Sequence, residues 1–315
     1  MSPFSEKSPQ NRNRNILEPL PIDERVTRVH ELLQHNKKLV ETLHEKGVSE
    51  ETLQSELKTI LLEIDLLEER AERDYAVLNI SSETAESIGV IWTFAGPGTY
   101  DLETKEDRYQ EFPWARWMDR DRLNYTAKLA RKIVEKKLSK SFSVDAGTTE
   151  SPEEITARIL EKKKEVHEAL ADVGPYIVYN GSPIENETVK EVLARPTTHV
   201  PTSKVFIIDK DSEGKPLANT VSQMKAFHLP SDALEGKKIA LVSHAPHLSR
   251  IVRMINLHRP FPVGTEIILF PIPTVPEGKA PYAAMESEGI LWYTYVSSDS
   301  TIEPYPFQLN SVPLS

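Results

Sequence analysis

A repeated alternation across residues 176–271 constrains this chain more than any other feature. Short, nearly unbroken apolar runs at 176–181 (YIVYNG), 204–209 (KVFIID), 238–244 (KIALVSH) and 265–271 (TEIILFP) are separated by helix-like segments at 185–194, 219–227 and 246–257. A strand with one face in water alternates polar and apolar residues, whereas one that is apolar throughout is covered on both faces. Strands of the second kind, separated by helices, form a parallel sheet with helices on either side. A fifth run at 87–96 (SIGVIWTFAG) ends in Gly-Pro-Gly and reads as a buried strand entering a tight turn. The expected class is α/β, with a mainly parallel sheet of about five strands. One more strand-like run, 289–296 (GILWYTYV), lies in a proline-rich tail.

The region before the first strand is of a different kind. Residues 1–21 are polar and read as a flexible arm with little to bury. Apolar positions three and four apart then predict a helix over 22–46, stopped by Gly47, and a second over 50–77, capped by Ser49. This N-terminal α-helical hairpin, 22–78, must pack on the main domain, on a second copy in a homodimer, or on a partner protein. The α/β domain is expected over 87–315. It carries insertions at about 99–118, rich in aromatic and charged residues, and 139–172, where Ser151 caps a helix.

Charge and composition exclude several classes of function. Acidic residues outnumber basic ones, 48 to 38, for a net charge of −10, which removes the basic footprint of a general nucleic-acid binder. There is no cysteine, so disulfides, thiolate nucleophiles and zinc–cysteine sites are out. No signal peptide and no membrane span are legible, and the expected location is cytoplasmic. The phosphate-loop, zinc-helix and nucleophile-elbow motifs are absent.

Ligands of open α/β sheets bind beyond the carboxyl ends of the strands. The residues there are Gly96 and Gly98, Asn180 and Gly181, Asp209 to Asp211, and the segment 243–250 (SHAPHLSR). This last segment ends a strand and opens a helix, whose free N–H groups favour an anion. His247 and Arg250 fall on one face of its first turns. If the protein is an enzyme, His247 is the residue to move a proton and Arg250 the one to stabilise an anion. Gly96, Gly98, Arg122, Gly181, Asn219, Thr220, Ser243 and His244 are the expected binding residues. Each has a plainer reading: the histidines as helix caps, Asn219 as an N-cap, Arg122 as a surface ion-pair member, the glycines as turns. No metal is expected.

The order of these motifs resembles the YdcF/SanA/ElyC-like family, whose biochemical activity is largely unknown. The match runs over about 87–272 and rests on the turn ending at Gly98, Arg122-Leu123 with Ala127, Asn180-Gly181-Ser182, Asn219-Thr220, and the spacing of Ser243, His247 and Arg250. The chain departs from the family pattern at Ser182, at Gln223, and in the expanded acidic stretch 209–214. The resemblance implies a Rossmann-like three-layer αβα sandwich with a polar pocket at the strand ends. One branch is associated with S-adenosylmethionine, others with cell-envelope and lipid-carrier metabolism. The expected function is binding of an anionic, nucleotide- or phosphate-bearing small molecule, with transfer or hydrolysis if there is turnover. The alternatives are a non-catalytic sensing or protein-interaction module and an S-adenosylmethionine-dependent enzyme.

Overall fold

A computed structural model describes residues 20–94, 118–143, 151–180, 189, 193, 200–217, 219–229 and 233–310. Its sheet has six strands: β1 (Ile88–Phe94), β2 (Tyr176–Asn180), β3 (Val205–Ile208), β4 (Lys238–His244), β5 (Ile267–Ile272) and β6 (Phe307–Leu309). All neighbours are parallel, in the order β3-β2-β1-β4-β5-β6. The chain winds outward from β1 to β3, then returns and winds the other way from β4. The fold is therefore doubly wound and Rossmann-like, with its switch point between β1 and β4.

The helices are α1 (Ile22–Leu33), α2 (Lys37–Glu45), α3 (Glu50–Asp74), α4 (Ser82–Ser87), α5 (Met118–Lys137), α6 (Pro152–Val173), α7 (Thr220–Ala226), α8 (Ala245–His258) and α9 (Pro276–Leu291). Period-two alternation sorts the strand residues into two cores. Ile91, Ile177, Tyr179, Ala240, Val242 and Phe270 face α4, α5 and α6. Val90, Trp92, Phe94, Val178, Leu241 and Leu269 face α7 and α8. Both faces of every central strand are buried, which is why those strands read as continuous apolar runs. Gly89 is required by this packing, because a Cβ there would lie 2.7 Å from the Ala233 carbonyl oxygen.

The helical hairpin packs on its own chain. Val29, Leu33, Leu39, Leu57, Ile60 and Leu61 form a third core with Ala283, Ile290 and Leu291 of α9. Helix α3 then lies across the carboxyl ends of β5 and β6. There the buried Glu68 carboxylate accepts from the N–H and hydroxyl of Thr274, and Arg70 donates to Asn310 at 3.1 Å. One bidentate ion pair ties α1 to α3, Arg25 with Asp65. Another ties α8 to α3, Arg253 with Glu63.

Three sequence expectations need correction. The helix over 22–46 is two helices, because Asn36 ends the first stretch, accepts from the Leu39 N–H as the cap of α2, and donates to Glu288 at 2.8 Å. The strand-like run 289–296 is the end of α9 followed by a π-helical turn, Trp292–Val296. The buried positions Gly278, Tyr282, Ala283, Glu286, Ser287, Ile290 and Leu291 have helical spacing, which is invisible in a window that starts at 289. The sheet has six strands rather than about five, because the edge strand β6 is three residues long and too short to carry a pattern. Of the expected helix at 185–194 only Val189 and Leu193 are described, both helical and buried, and the turns holding Gly96, Gly98 and Gly181 lie outside the described residues.

Candidate functional site

Strand β4 runs straight into α8, so Ser243, His244 and His247 all lie at the switch point. Phe94 ends β1 in register with Asn180 at the end of β2. Ser243 and His247 are four apart, which brings the serine Oγ to 3.1 Å from the histidine Nδ1. The Phe94 ring meets the His247 imidazole edge to face, centroids 6.3 Å apart. No side chain caps the first turn of α8. His244 occupies the N-cap position without a capping hydrogen bond from its side chain, and the positive end of α8 faces the strand ends.

Both histidines are buried, and both are held well below the ordinary imidazole pKa. Burial is the main cause for each, followed by the Arg122 guanidinium at His244 and by Arg250, Arg122 and His244 at His247. They are neutral at physiological pH. The Nδ1 of His244, the Nε2 of His247 and the Nδ2 of Asn180 are buried without a hydrogen-bond partner among the described residues. Trp92 Nε1 donates to Asn180 Oδ1 at 2.5 Å, so the unmatched Asn180 atom is its NH2 donor.

The structure places the two arginines in different roles. Arg122, on α5, is fully buried rather than part of a surface ion pair, and it donates to the Tyr282 hydroxyl at 3.4 Å. Arg250 forms a bidentate pair with the buried Glu286 of α9 at 2.5 and 3.2 Å, donates to Thr220 at 3.2 Å, and lies over the Tyr293 ring. Burial opposes its charge, but Glu286 outweighs burial and leaves the guanidinium more basic than usual. Arg250 thus ties α7, α8 and α9 together behind His247, and its charge is matched. Asn219 is an exposed N-cap that accepts from the Ser222 N–H at 2.9 Å. Thr220 is drawn in only through Arg250. Sequence pattern does not single out Glu286, which lies in the tail, and the amide role of Asn180 depends on Trp92, which sits 88 positions away.

A cleft of about 330 Å³ lies elsewhere, between α1, α3 and α9, lined in part by Arg25, Asp65, Glu68, Glu72 and Lys279. Most of its charges are engaged, Arg25 with Asp65, Lys279 with Glu72 and Glu68 with Thr274. Among the described residues no cluster of three His, Asp or Glu side chains could hold a metal, and no helix is long and apolar enough to cross a membrane. No protein-family model, curated protein or solved structure matches the chain.

Proposed function

We propose that this is a YdcF-like protein that binds an anionic, nucleotide- or phosphate-bearing small molecule at the β1/β4 switch point. One observation carries the reading: among the described residues, three buried polar atoms, on His244, His247 and Asn180, lack partners near the carboxyl ends of β4 and β2. Leaving such an atom unpaired costs about 1–3 kcal/mol. A ligand with several acceptor oxygens would offset that cost at the Asn180 amide and at the uncapped first turn of α8, and Arg122 adds positive charge. If the protein turns the ligand over, a neutral buried His247 is suited to move a proton, with Arg250 as the side chain that positions it. Ser182 and the other departures bear on which ligand is taken.

A thermal-shift screen against nucleotides, nucleotide sugars, polyprenyl phosphates and S-adenosylmethionine tests this, since a ligand of the native state raises Tm by mass action. The expected result is a hit among phosphate-bearing compounds that disappears in Arg122→Ala and weakens in His247→Ala. A hit that survives both substitutions sinks the reading. A preference for S-adenosylmethionine is not expected, because β2 ends in Asn180 where a ribose-binding fold commonly carries a carboxylate. The sensing-module reading is favoured by one contact, Arg253 of α8 with Glu63 of α3, which links the helix bearing His247 to the hairpin. Saturable binding without turnover would select it.

A further inference from the structure

The imidazole of His247 is 3% exposed, and its Nε2 has no partner among the described residues. Among the described residues its surroundings come from five elements. Arg250 is on its own helix, Ser243 and His244 on β4, Arg122 on α5, and the Phe94 ring on β1. Glu286 of α9 stands behind Arg250 and is engaged by it in two hydrogen bonds. Among the described residues no carboxylate bonds to either histidine. The ring is thus held neutral chiefly by burial, with Arg122 and the first turn of α8 beside it and the charge of Arg250 matched by Glu286. In the tautomer with Nδ1–H donating to the Ser243 hydroxyl oxygen, Nε2 carries a lone pair.

We propose that an anion entering this crevice is bound together with one proton, which His247 takes up at Nε2. The step balances simply: a proton leaves the solvent, the Nε2 lone pair accepts it, and the resulting N–H donates to the anion. A negative charge beside the ring favours the imidazolium by direct attraction and gives the orphaned nitrogen a partner, which offsets the burial that otherwise keeps the ring neutral. The imidazolium so formed is a general acid in contact with the bound group. The coupling rests on the anion-binding reading above, but its test separates the two.

Inorganic sulfate is the probe, because it stays a dianion across the neutral range and any proton taken up must go to the protein. Calorimetric titration of the full chain is run in two buffers of different ionisation enthalpy. The expected outcome is a buffer-dependent heat equivalent to about one proton per sulfate, with binding strengthened up to about tenfold for each unit of falling pH. His247→Gln abolishes the proton uptake. Nitrogen-detected NMR of the wild-type histidines gives an independent readout that needs no variant: both nitrogens of His247 take imidazolium shifts only when sulfate is present. Sulfate binding with the same heat in both buffers and a neutral His247 overturns the coupling and leaves anion binding intact. No sulfate binding at all overturns both.

Discussion

The hydroxyls of Thr93, on β1, and Thr126, on α5, meet at 2.6 Å with neither side chain exposed. Valine has nearly the shape of threonine, so either single replacement leaves the other hydroxyl buried and unmatched. Thr93→Val or Thr126→Val alone is expected to cost about 1–3 kcal/mol, whereas the double variant, with methyl against methyl, is nearly neutral. Urea unfolding of the three variants checks this, and additive losses would show that each hydroxyl has a second partner. Thr93 also marks the limit of legibility at this scale. The apolar run around it identifies a strand, but a partner 33 positions away leaves no local trace. Arg250 is alike: its spacing from His247 puts it beside the imidazole, while the carboxylate that matches its charge lies 36 positions on. The address of a side chain could be read, but its state of charge could not.

Elements whose ends carry their own chemistry could be read in advance. Ser49 accepts from the Thr52 N–H, Ser151 makes a full capping box with Glu154, and Gly47 takes the left-handed φ of +69° that stops α2. Elements that depend on distant packing could not. Helix α9 contains Pro281 and is held in place by the hairpin core. The hairpin's packing surface was open in the sequence, and in the structure its buried apolar residues meet α9. Arg253, with no exposed side-chain surface, is the polar tie between the two parts through Glu63. Removing one partner of a buried ion pair costs about 3–5 kcal/mol. Glu63→Ala should fall toward the lower end of that range, because Arg253 keeps the carbonyls of Ser249 and Ile302. Denaturant unfolding measures the loss, and a change under about 0.5 kcal/mol would place the pair among ordinary surface contacts. Deleting residues 1–78 should be far worse, giving no cooperative unfolding transition, because it bares Ile290, Leu291 and Arg253 at once.

The stability of the whole molecule should depend on pH in a direction set by its buried histidines. His244 and His247 have folded-state pKa values well below the ordinary 6.5, so under acid the unfolded chain binds more protons than the folded one. Stability therefore falls as pH drops below 6.5, by up to about 1.4 kcal/mol per unit for each histidine, until their folded pKa values are reached. The buried Glu68, pushed up from 4.5 chiefly by burial, acts in the opposite sense and loses stability as pH rises through its own window. Unfolding free energy measured from neutral pH downward should show the histidine slope, and His244→Gln with His247→Gln should flatten it. An unchanged slope in that double variant would assign the acid sensitivity to other groups.

The third core joins residues near the start of the chain to residues near its end, with Asn36 bonded to Glu288 across 252 positions. A ribosome makes the hairpin first and α9 late. Throughout the synthesis of β1 to β5, Leu33, Leu39, Leu57 and Ile60 therefore lack the α9 surface they meet in the folded chain. A nascent chain in that condition is an exposed hydrophobic helix pair tethered to a growing α/β domain, the kind of species that chaperones hold. Folding of this protein is completed by the arrival of its tail, and a stall or frameshift late in translation releases a product with its longest helix unseated.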